Sequence, residues 1–444
     1  MSEPSTVAFD VARDAFQSAT QPMQAYRVIA ERPLKHDPMV SAPDRVAYPR
    51  GFLLLTSEFT SSKAHQLPVQ TTFQMDKEII QQFVNAVATT ELIPLSSEPH
   101  NGRTYSYGGI LPGSTDPALL ELPPGVQWLN DTPLATEAPS RLYVRPAYQV
   151  LLLLAMAFAD HPEVPHHRVV ITGSSGTGKT SFLSWILRHL RRLEKPPVIV
   201  LDMPGFFGRI ASDGEVTAGI RGSSFQQELN CRSTVYLCDA TWADEVELIN
   251  PEIQARSIIM SPPTHTVKRE TSSDTMRTLM LVMPLWTIAE LETCRSTCYW
   301  RNVTQETLLE LYRLWGGAVR WTLGTSETES KHEFTRSSEA LSFASVVQVV
   351  RNGGLVEVQD VESDSVVLGS RLVHMHVDAD STFQLSGVAM CSSLACSLLI
   401  GSSSKQLESA RTFVKRSDCL DEPRTMRFFY RQVQQELFDR AATP

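Results

Sequence analysis

The sequence predicts an α/β protein. A mostly parallel five-stranded sheet carries a helical lid and is flanked by a loop-rich N-terminal module and a small α+β C-terminal region. Three observations carry this prediction. The stretch "ITGSSGTGKTSFLSWILRHL" (171–190) joins a strand-like run to a helical pattern through a glycine-bracketed polar loop. Five short β-branched runs recur: "RVVIT" (168–172), "VIVLD" (198–202), "TVYLCD" (234–239), "SIIM" (257–260) and "LMLVM" (279–283). Continuous apolar runs with crossovers mark a parallel sheet covered on both faces. Behind the fifth run the pattern turns helical, with recognisable start and stop signals.

The bulk properties bound the class. A chain of 444 residues implies two or three domains. Apolar content of 42% and charged content of 20% are those of an ordinary globular protein with a sizeable core. A net charge of -9 gives no global basic footprint of the kind nucleic-acid binders carry. The seven cysteines form no CxxC pair and read as reduced thiols rather than a disulfide framework or a zinc knuckle. The N-terminus "MSEPSTVAFDVARDAF" shows no secretory signal pattern. The longest apolar run, Val150 to Ala159, is about half the length a bilayer requires. The expectation is a soluble intracellular protein with no membrane partner.

The elements follow in order. Before Ser140 the chain holds 15 of its 27 prolines and turn clusters such as "LPPGVQWLNDTP". Between them fit a strand-like "GFLLLTSEF" and a helix-like "MDKEIIQQFVNAVATTEL", with a mobile linker expected near Asp131 to Ser140. From Arg141, "RLYVRPAYQVLLLLAMAFA" reads as a strand or turn leading into a buried helix. A helix is predicted from about Lys179 to Leu193. Phe182, Leu183, Ile186, Leu187, Leu190 and Leu193 form one stripe, with Arg188, Arg191 and Arg192 off it. "PLWTIAELETC" carries a capping box, Thr287 with Glu290, and "TQETLLELYRLWGG" stops on Gly316 and Gly317. The last part predicts a helix (338–352), strand-like alternation (364–378), an apolar stretch (384–400) and a terminal helix (422–440). This divides the chain into 1–140, 141–327 and 328–444.

The loop matches GxxxxGK[ST] at every fixed position: Gly173, Ser174, Ser175, Gly176, Thr177, Gly178, Lys179, Thr180. The glycines let backbone amides turn inward around an anion, and the helix behind adds its positive end. Lys179 is expected to reach β- and γ-phosphate oxygens and the Thr180 hydroxyl to bind magnesium, with Ser181 next in the helix. The fold expected is therefore that of a P-loop NTPase, with ATP and Mg2+ as its ligands.

A carboxylate at a strand end must hold the magnesium through water, and two are available. Asp239 ends "TVYLCD" and leaves one strand between itself and the loop strand; it is the favoured choice. Asp202 opens "DMPG", which looks like a GTPase switch, although no guanine reader follows. Ala240 stands where many ATPases place a glutamate; Asp244 and Glu245 are displaced. Ser261, past "SIIM", is placed to sense a γ-phosphate or to cap a turn. Arg320 in "GGAVR" either reaches the nucleotide from a helical lid or is a solvated helix arginine. In "HMHVDAD", His374, His376, Asp378 and Asp380 share one strand face. They fit either a zinc site or, as the favoured reading, a solvent-facing side opposite Val373, Met375 and Val377. His161, His166 and His167 fall in a loop before the first sheet strand.

The segments "RLYVRPAYQVLLLL", "ITGSSGTGKT", "YLCDA", "RSIIMSPP", "MPLWTIAELETC" and "LWGGAVRWTLGT" follow one another in an order that resembles the retrotransposon hot spot and Crinkler-type NTPases, over about 141–325. The resemblance implies an AAA-like or signal-transduction-type ATPase domain. By position it makes Lys179 and Thr180 the Walker A pair and Asp239 the Walker B acid. It implies a nuclear destination, an unidentified protein or nucleic-acid partner, and a homo-oligomer in which a neighbour completes the site. A Crinkler secretion header and a nuclease motif are not recognisable in this sequence. Three functions remain open: an ATP-driven switch, a nucleotide-binding module with little hydrolysis, and a GTPase.

Overall fold

The computed structural model describes residues 77–95, 117–126, 128–129, 140–160, 166–240, 253–262, 276–299, 303–354, 371–377, 383–416 and 426–442. The run "GFLLLTSEF", the linker before Ser140, His161, Asp244, Glu245, Asp378 and Asp380 lie outside the described residues.

The first pieces pack directly onto the central unit. Helix α1 (Lys77–Thr89) buries Ile80, Phe83, Val84 and Val87, an i, i+3, i+4, i+7 stripe. Strands β1 (Leu92–Pro94), β2 (Ala118–Glu121) and β3 (Arg141–Val144) form a small antiparallel sheet, so β2 pairs across residue 140 with β3. Helix α2 (Pro146–Ala159) starts on a proline at its first turn, where a missing N–H costs nothing. It is apolar all round and buried.

The central sheet has seven strands, and the five predicted runs are its parallel part. β4 (His166–Thr172) leads through the glycine loop into α3 (Lys179–Arg191). β5 (Ile199–Met203), β6 (Phe206–Ile210), β7 (Val216–Ala218) and the short α4 (Gln226–Leu229) follow, then β8 (Val235–Asp239), β9 (Arg256–Met260) and β10 (Met276–Val282). The order is β10-β4-β9-β8-β5-β6-β7. Parallel registers run Val169↔Leu279, Val169↔Ile258, Leu237↔Ile258 and Leu201↔Leu237.

Five strands were expected and the sheet holds seven among the described residues. β6 and β7 add an antiparallel edge beyond β5. "DMPG" ends β5 and, through Pro204 and Gly205, makes the tight turn into β6, with Gly205 at φ 78. β6 escapes periodicity because Gly208 interrupts it. A Cβ there would stand 2.8 Å from the Thr217 carbonyl of β7, so glycine lets the two strands approach.

Phe182, Leu183, Ile186, Leu187 and Leu190 of the predicted stripe are buried in α3, Leu193 lies past the helix end and is half-buried, and Arg188 is buried too. It donates to the Thr90 carbonyl (2.8 Å) just past α1, one reason α1 stays on the sheet unit.

The lid comprises α5 (Ile288–Cys294), a π-turn (Arg295–Tyr299), α6 (Gln305–Trp315), α7 (Val319–Thr322), α8 (Glu327–Glu339) and α9 (Phe343–Arg351). The single helix expected over 338–352 is thus the end of one helix and the whole of another. Ser342 starts the second, its hydroxyl accepting from Ser345 N (3.1 Å). Beyond lie an antiparallel hairpin, β11 (Val373–Val377) and β12 (Leu385–Met390), and helices α10 (Ser393–Gly401), α11 (Ser404–Arg416) and α12 (Met426–Ala442). A second apolar core around Trp315, Trp321, Phe334, Phe343 and Phe429 joins these to the lid.

The favoured solvent-facing reading of the histidines is overturned for His374. It is 1% exposed and lies beside Gly316, while His376 is half-buried and stacks on Phe428 (5.6 Å). Burial, aided by His376, pushes the His374 pKa down to about 3, so the ring is neutral. Among the described residues no group of three or more metal-ligating side chains forms, six cysteines are free, and no helix is long and apolar enough to cross a membrane.

Candidate functional site

The loop between β4 and α3 lies at the carboxyl edge of the parallel strands, where open α/β sheets leave a crevice. Its conformation depends on glycine. Gly178 has φ 96, and a Cβ there would stand 2.4 Å from the Tyr148 hydroxyl. Within the loop the Thr177 hydroxyl donates to the Ser174 carbonyl (3.0 Å). Ser174 and Thr177 are buried, Ser175 is half-buried, and Ser181 sits beside the Tyr148 phenol.

Lys179 folds back over the loop. Its Nζ donates to the carbonyls of Gly173 (2.8 Å) and Ser174 (2.9 Å). The ammonium is therefore held on the loop's axis before any ligand arrives. Burial first, then the Arg320 charge, lower its pKa to about 7, and Asp239 opposes them. The residue as a whole is half-buried, but its charged end is enclosed.

Thr180 and Asp239 meet. The Thr180 hydroxyl donates to Asp239 Oδ2 at 2.6 Å. Asp239 is 1% exposed at the end of β8, and β9 lies between β8 and the loop strand β4. Asp202 is engaged elsewhere: Oδ1 accepts from Arg221 Nε (2.8 Å) and Oδ2 from the Tyr236 hydroxyl (2.9 Å). Ala240 is buried in an apolar cluster with Val200, Phe207, Cys238 and Ile259.

Ser261 directly follows β9, the strand next to the loop strand, its N–H donating to the Ile171 carbonyl (2.9 Å). Its hydroxyl turns to the Pro262 carbonyl (3.2 Å), the geometry of a turn serine. Arg320 is brought to the loop: its N–H donates to the Gly176 carbonyl (3.1 Å). Its side chain keeps solvent access. Desolvation and then the Arg371 charge lower its pKa, with Asp239 opposing.

Three residues that sequence reasoning did not single out, Arg145, Tyr148 and Trp286, brace the loop from behind, together with Glu290, which it read only as a helix cap. Arg145 is fully buried and forks onto Glu290, Nε to Oε1 (2.9 Å) and Nη2 to Oε2 (3.1 Å). It also donates to the carbonyls of Pro284 (2.9 Å) and Leu285 (3.0 Å) and lies 4.5 Å over the Trp286 ring. Trp286 Nε1 donates to the Thr177 carbonyl (2.9 Å), and the Tyr148 hydroxyl to the Gly178 carbonyl (2.8 Å). Glu290 closes the predicted capping box by accepting from Thr287 N (2.9 Å). The signal was present in the segments "VRPAY" and "MPLWTIAE", but pairing them needs residues 145 apart to meet. The "WGG" turn has a like cause. A Cβ on Gly317 would stand 2.3 Å from the Trp286 carbonyl.

The arrangement makes a pH prediction. At pH above about 7 the empty site holds a growing fraction of neutral Lys179, whereas a phosphate beside it favours the ammonium. Binding of a phosphate ligand then takes up a proton. Affinity is expected to fall by a factor approaching tenfold per pH unit (about 1.4 kcal/mol) above that point. Calorimetry in buffers of different ionisation enthalpy measures the uptake. An affinity flat from pH 6.5 to 9 sinks this assignment.

No model of a known protein family matches the chain, and no curated protein matches it. Among solved structures, similarity is found to AMPPCP-bound DnaA from Aquifex aeolicus. The identity is 14%, the match covers 67% of this chain and 95% of that chain, and the TM-score is 0.24. A superposition of this quality establishes neither a shared fold nor a shared function.

Proposed function

We propose that the chain is a P-loop NTPase that binds ATP with magnesium on the 173–181 loop and uses its nucleotide state as a switch, with hydrolysis. One observation carries the reading. A lysine is aimed along a glycine loop by the loop's own carbonyls, while the next residue's hydroxyl touches a buried strand-end carboxylate. A structural lysine would pair with a carboxylate or extend to solvent. The parallel strands, taken in chain order, lie 5-1-4-3-2, with β9 between the loop strand and the Asp239 strand, which supports the ATPase branch.

Thr180 and Asp239 supply the oxygen donors a hard cation takes, so magnesium fits this pair. When bound, magnesium neutralises charge on the β- and γ-phosphate oxygens. The chain's own contribution is positioning and electrostatics. The loop and the α3 end take the phosphates, Lys179 contacts the terminal ones, and Arg320 is the lid cation nearest them. No acid directly follows Asp239: the next residue is Ala240, buried in apolar surroundings. This favours, as a second reading, a binding module with little turnover. The GTPase reading loses its switch, since "DMPG" is a strand turn and its aspartate is held by Arg221 and Tyr236.

The order of the loop, "MPLW" and "WGG" segments supports a place near retrotransposon hot spot and Crinkler-type NTPases. The brace through Arg145, Trp286 and Glu290 gives that order a physical role. A nuclear destination and a protein or nucleic-acid partner rest on that resemblance. Self-association is read from light scattering with and without ATP.

Phosphate release with magnesium and either ATP or GTP tests the reading. Asp239→Ala is expected to lower ATP turnover on the order of 100-fold. Asp202→Ala removes the acceptor of the Tyr236 hydroxyl and of Arg221 Nε, costs about 1–3 kcal/mol of stability and spares turnover per folded molecule. The opposite ranking of the two variants would return Asp202 to the site. Tight ATP binding without release selects the binding module.

A further inference from the structure

Two backbone amides from outside the β4–α3 unit close on the loop. One is the Arg320 N–H already described. The other is Met375 N–H, which donates to Ser174 Oγ at 2.8 Å in a buried position. Met375 lies mid-strand in β11, opposite Val388 of β12. Because its amide is used outside the hairpin, the outer edge of β11 is closed by the loop itself. An edge amide normally seeks another strand or water; here it takes a loop hydroxyl.

Ser174 links that amide to the cation. Its carbonyl accepts from Lys179 Nζ (2.9 Å) and from the Thr177 hydroxyl (3.0 Å). The hairpin is also fastened to the sheet edge. Val282 N donates to the Phe383 carbonyl (2.7 Å), Gln384 Nε2 donates to the Met280 carbonyl (3.0 Å), and Met375 and Val377 pack on Val282. A rearrangement of the loop at Ser174 therefore reaches β11 without passing through the lid.

We propose that Met375 is a positioning residue. Its amide fixes Ser174, whose carbonyl keeps Lys179 aimed into the loop, so phosphate occupancy of the loop and anchoring of the β11–β12 hairpin are coupled. This rests on the ATP-binding reading and adds the element that senses it. Coupling of two equilibria is reciprocal: whatever factor hairpin anchoring contributes to ATP affinity, ATP contributes to anchoring.

The test uses the full chain. Ser174→Ala removes the acceptor, Ser174→Thr keeps it, and Met375→Pro removes the donor while sparing the ladder bonds of its neighbours. The readouts are Mg-ATP affinity, thermal midpoint and amide exchange of segment 371–377. Ser174→Ala and Met375→Pro are each expected to weaken ATP binding by about 5- to 50-fold. Their double variant is expected to be no weaker than the worse single, because both delete one contact. Ser174→Thr recovers affinity. Saturating Mg-ATP slows exchange at 371–377 in wild type and not in Ser174→Ala. Met375→Pro also loses core volume, so the Ser174 pair decides if it fails to fold. Wild-type ATP affinity in Ser174→Ala, strictly additive losses, or exchange indifferent to bound ATP each overturn the coupling and leave the ATP reading standing. Wild type that binds no Mg-ATP overturns the ATP reading itself, and the coupling with it.

Discussion

Lys179→Ala is expected to abolish ATP turnover and weaken ATP binding by on the order of 100-fold, or about 3 kcal/mol. The ammonium sits between two loop carbonyls and near Asp239, so it is the positive charge already organised where phosphate oxygens would enter. Charge-assisted bonds in a partly desolvated loop are worth more than exposed pairs. The substitution leaves the Gly173 and Ser174 carbonyls without that donor, but it also removes a cation whose burial lowers its own pKa. Stability therefore changes little while function is lost, and that separation is the informative result. Lys179→Arg does not rescue, because a planar fork cannot fill the place of a compact ammonium on two carbonyls. Equilibrium ATP titration beside thermal unfolding reads both quantities. ATP affinity within threefold of wild type in Lys179→Ala would falsify the phosphate-loop assignment.

Glu290→Ala is expected to cost about 3–5 kcal/mol of stability, since it strands the buried Arg145 guanidinium without its carboxylate. Arg145→Ala strands Glu290 and releases the Pro284 and Leu285 carbonyls, with a loss of like size. Replacing both partners by apolar residues, Arg145→Met with Glu290→Leu, recovers most of the stability, because no buried charge is left unpaired. ATP affinity is not expected to recover. The guanidinium lies over Trp286, and the indole N–H holds the Thr177 carbonyl of the loop. Urea unfolding of the three variants, each beside an ATP titration, separates the two roles. A double variant with wild-type affinity shows the pair acting on stability alone.

The local part of the site was legible in the sequence. A loop of fixed spacing between a β-branched run and an amphipathic helix is specified by residues within about two dozen positions of one another. Lys179 and Thr180 accordingly stand at the start of α3. The capping box at Thr287 is local because a side chain three residues away satisfies the orphan amide, and the stop at Gly316 because glycine itself adopts the φ of 55 found there. Periodicity located the five parallel strands, which are apolar on both faces. It missed β6 and β7, where a central glycine and a three-residue strand carry too little pattern. It ran the end of α8 and the whole of α9 together as one helix, because a single serine cap interrupts an otherwise continuous helical texture.

Strand order, and with it the choice between Asp239 and Asp202, belongs to the tertiary structure. Both aspartates end apolar runs, and only the insertion of β9 beside β4 sets Asp239 against Thr180 while Asp202 falls to Arg221 and Tyr236. The brace of Arg145 on Glu290 and the closure of the loop by Met375 join residues 145 and 201 positions apart. Such contacts have no periodic signature. Their pairing is set by how sheet, lid and hairpin pack, because a buried charge or amide accepts whichever partner that packing supplies. By itself the sequence determined the loop, its lysine and hydroxyl, and the helix that carries them. Which carboxylate faces them, what holds the loop rigid and which distant strand touches it were decided only when the chain closed around its cores.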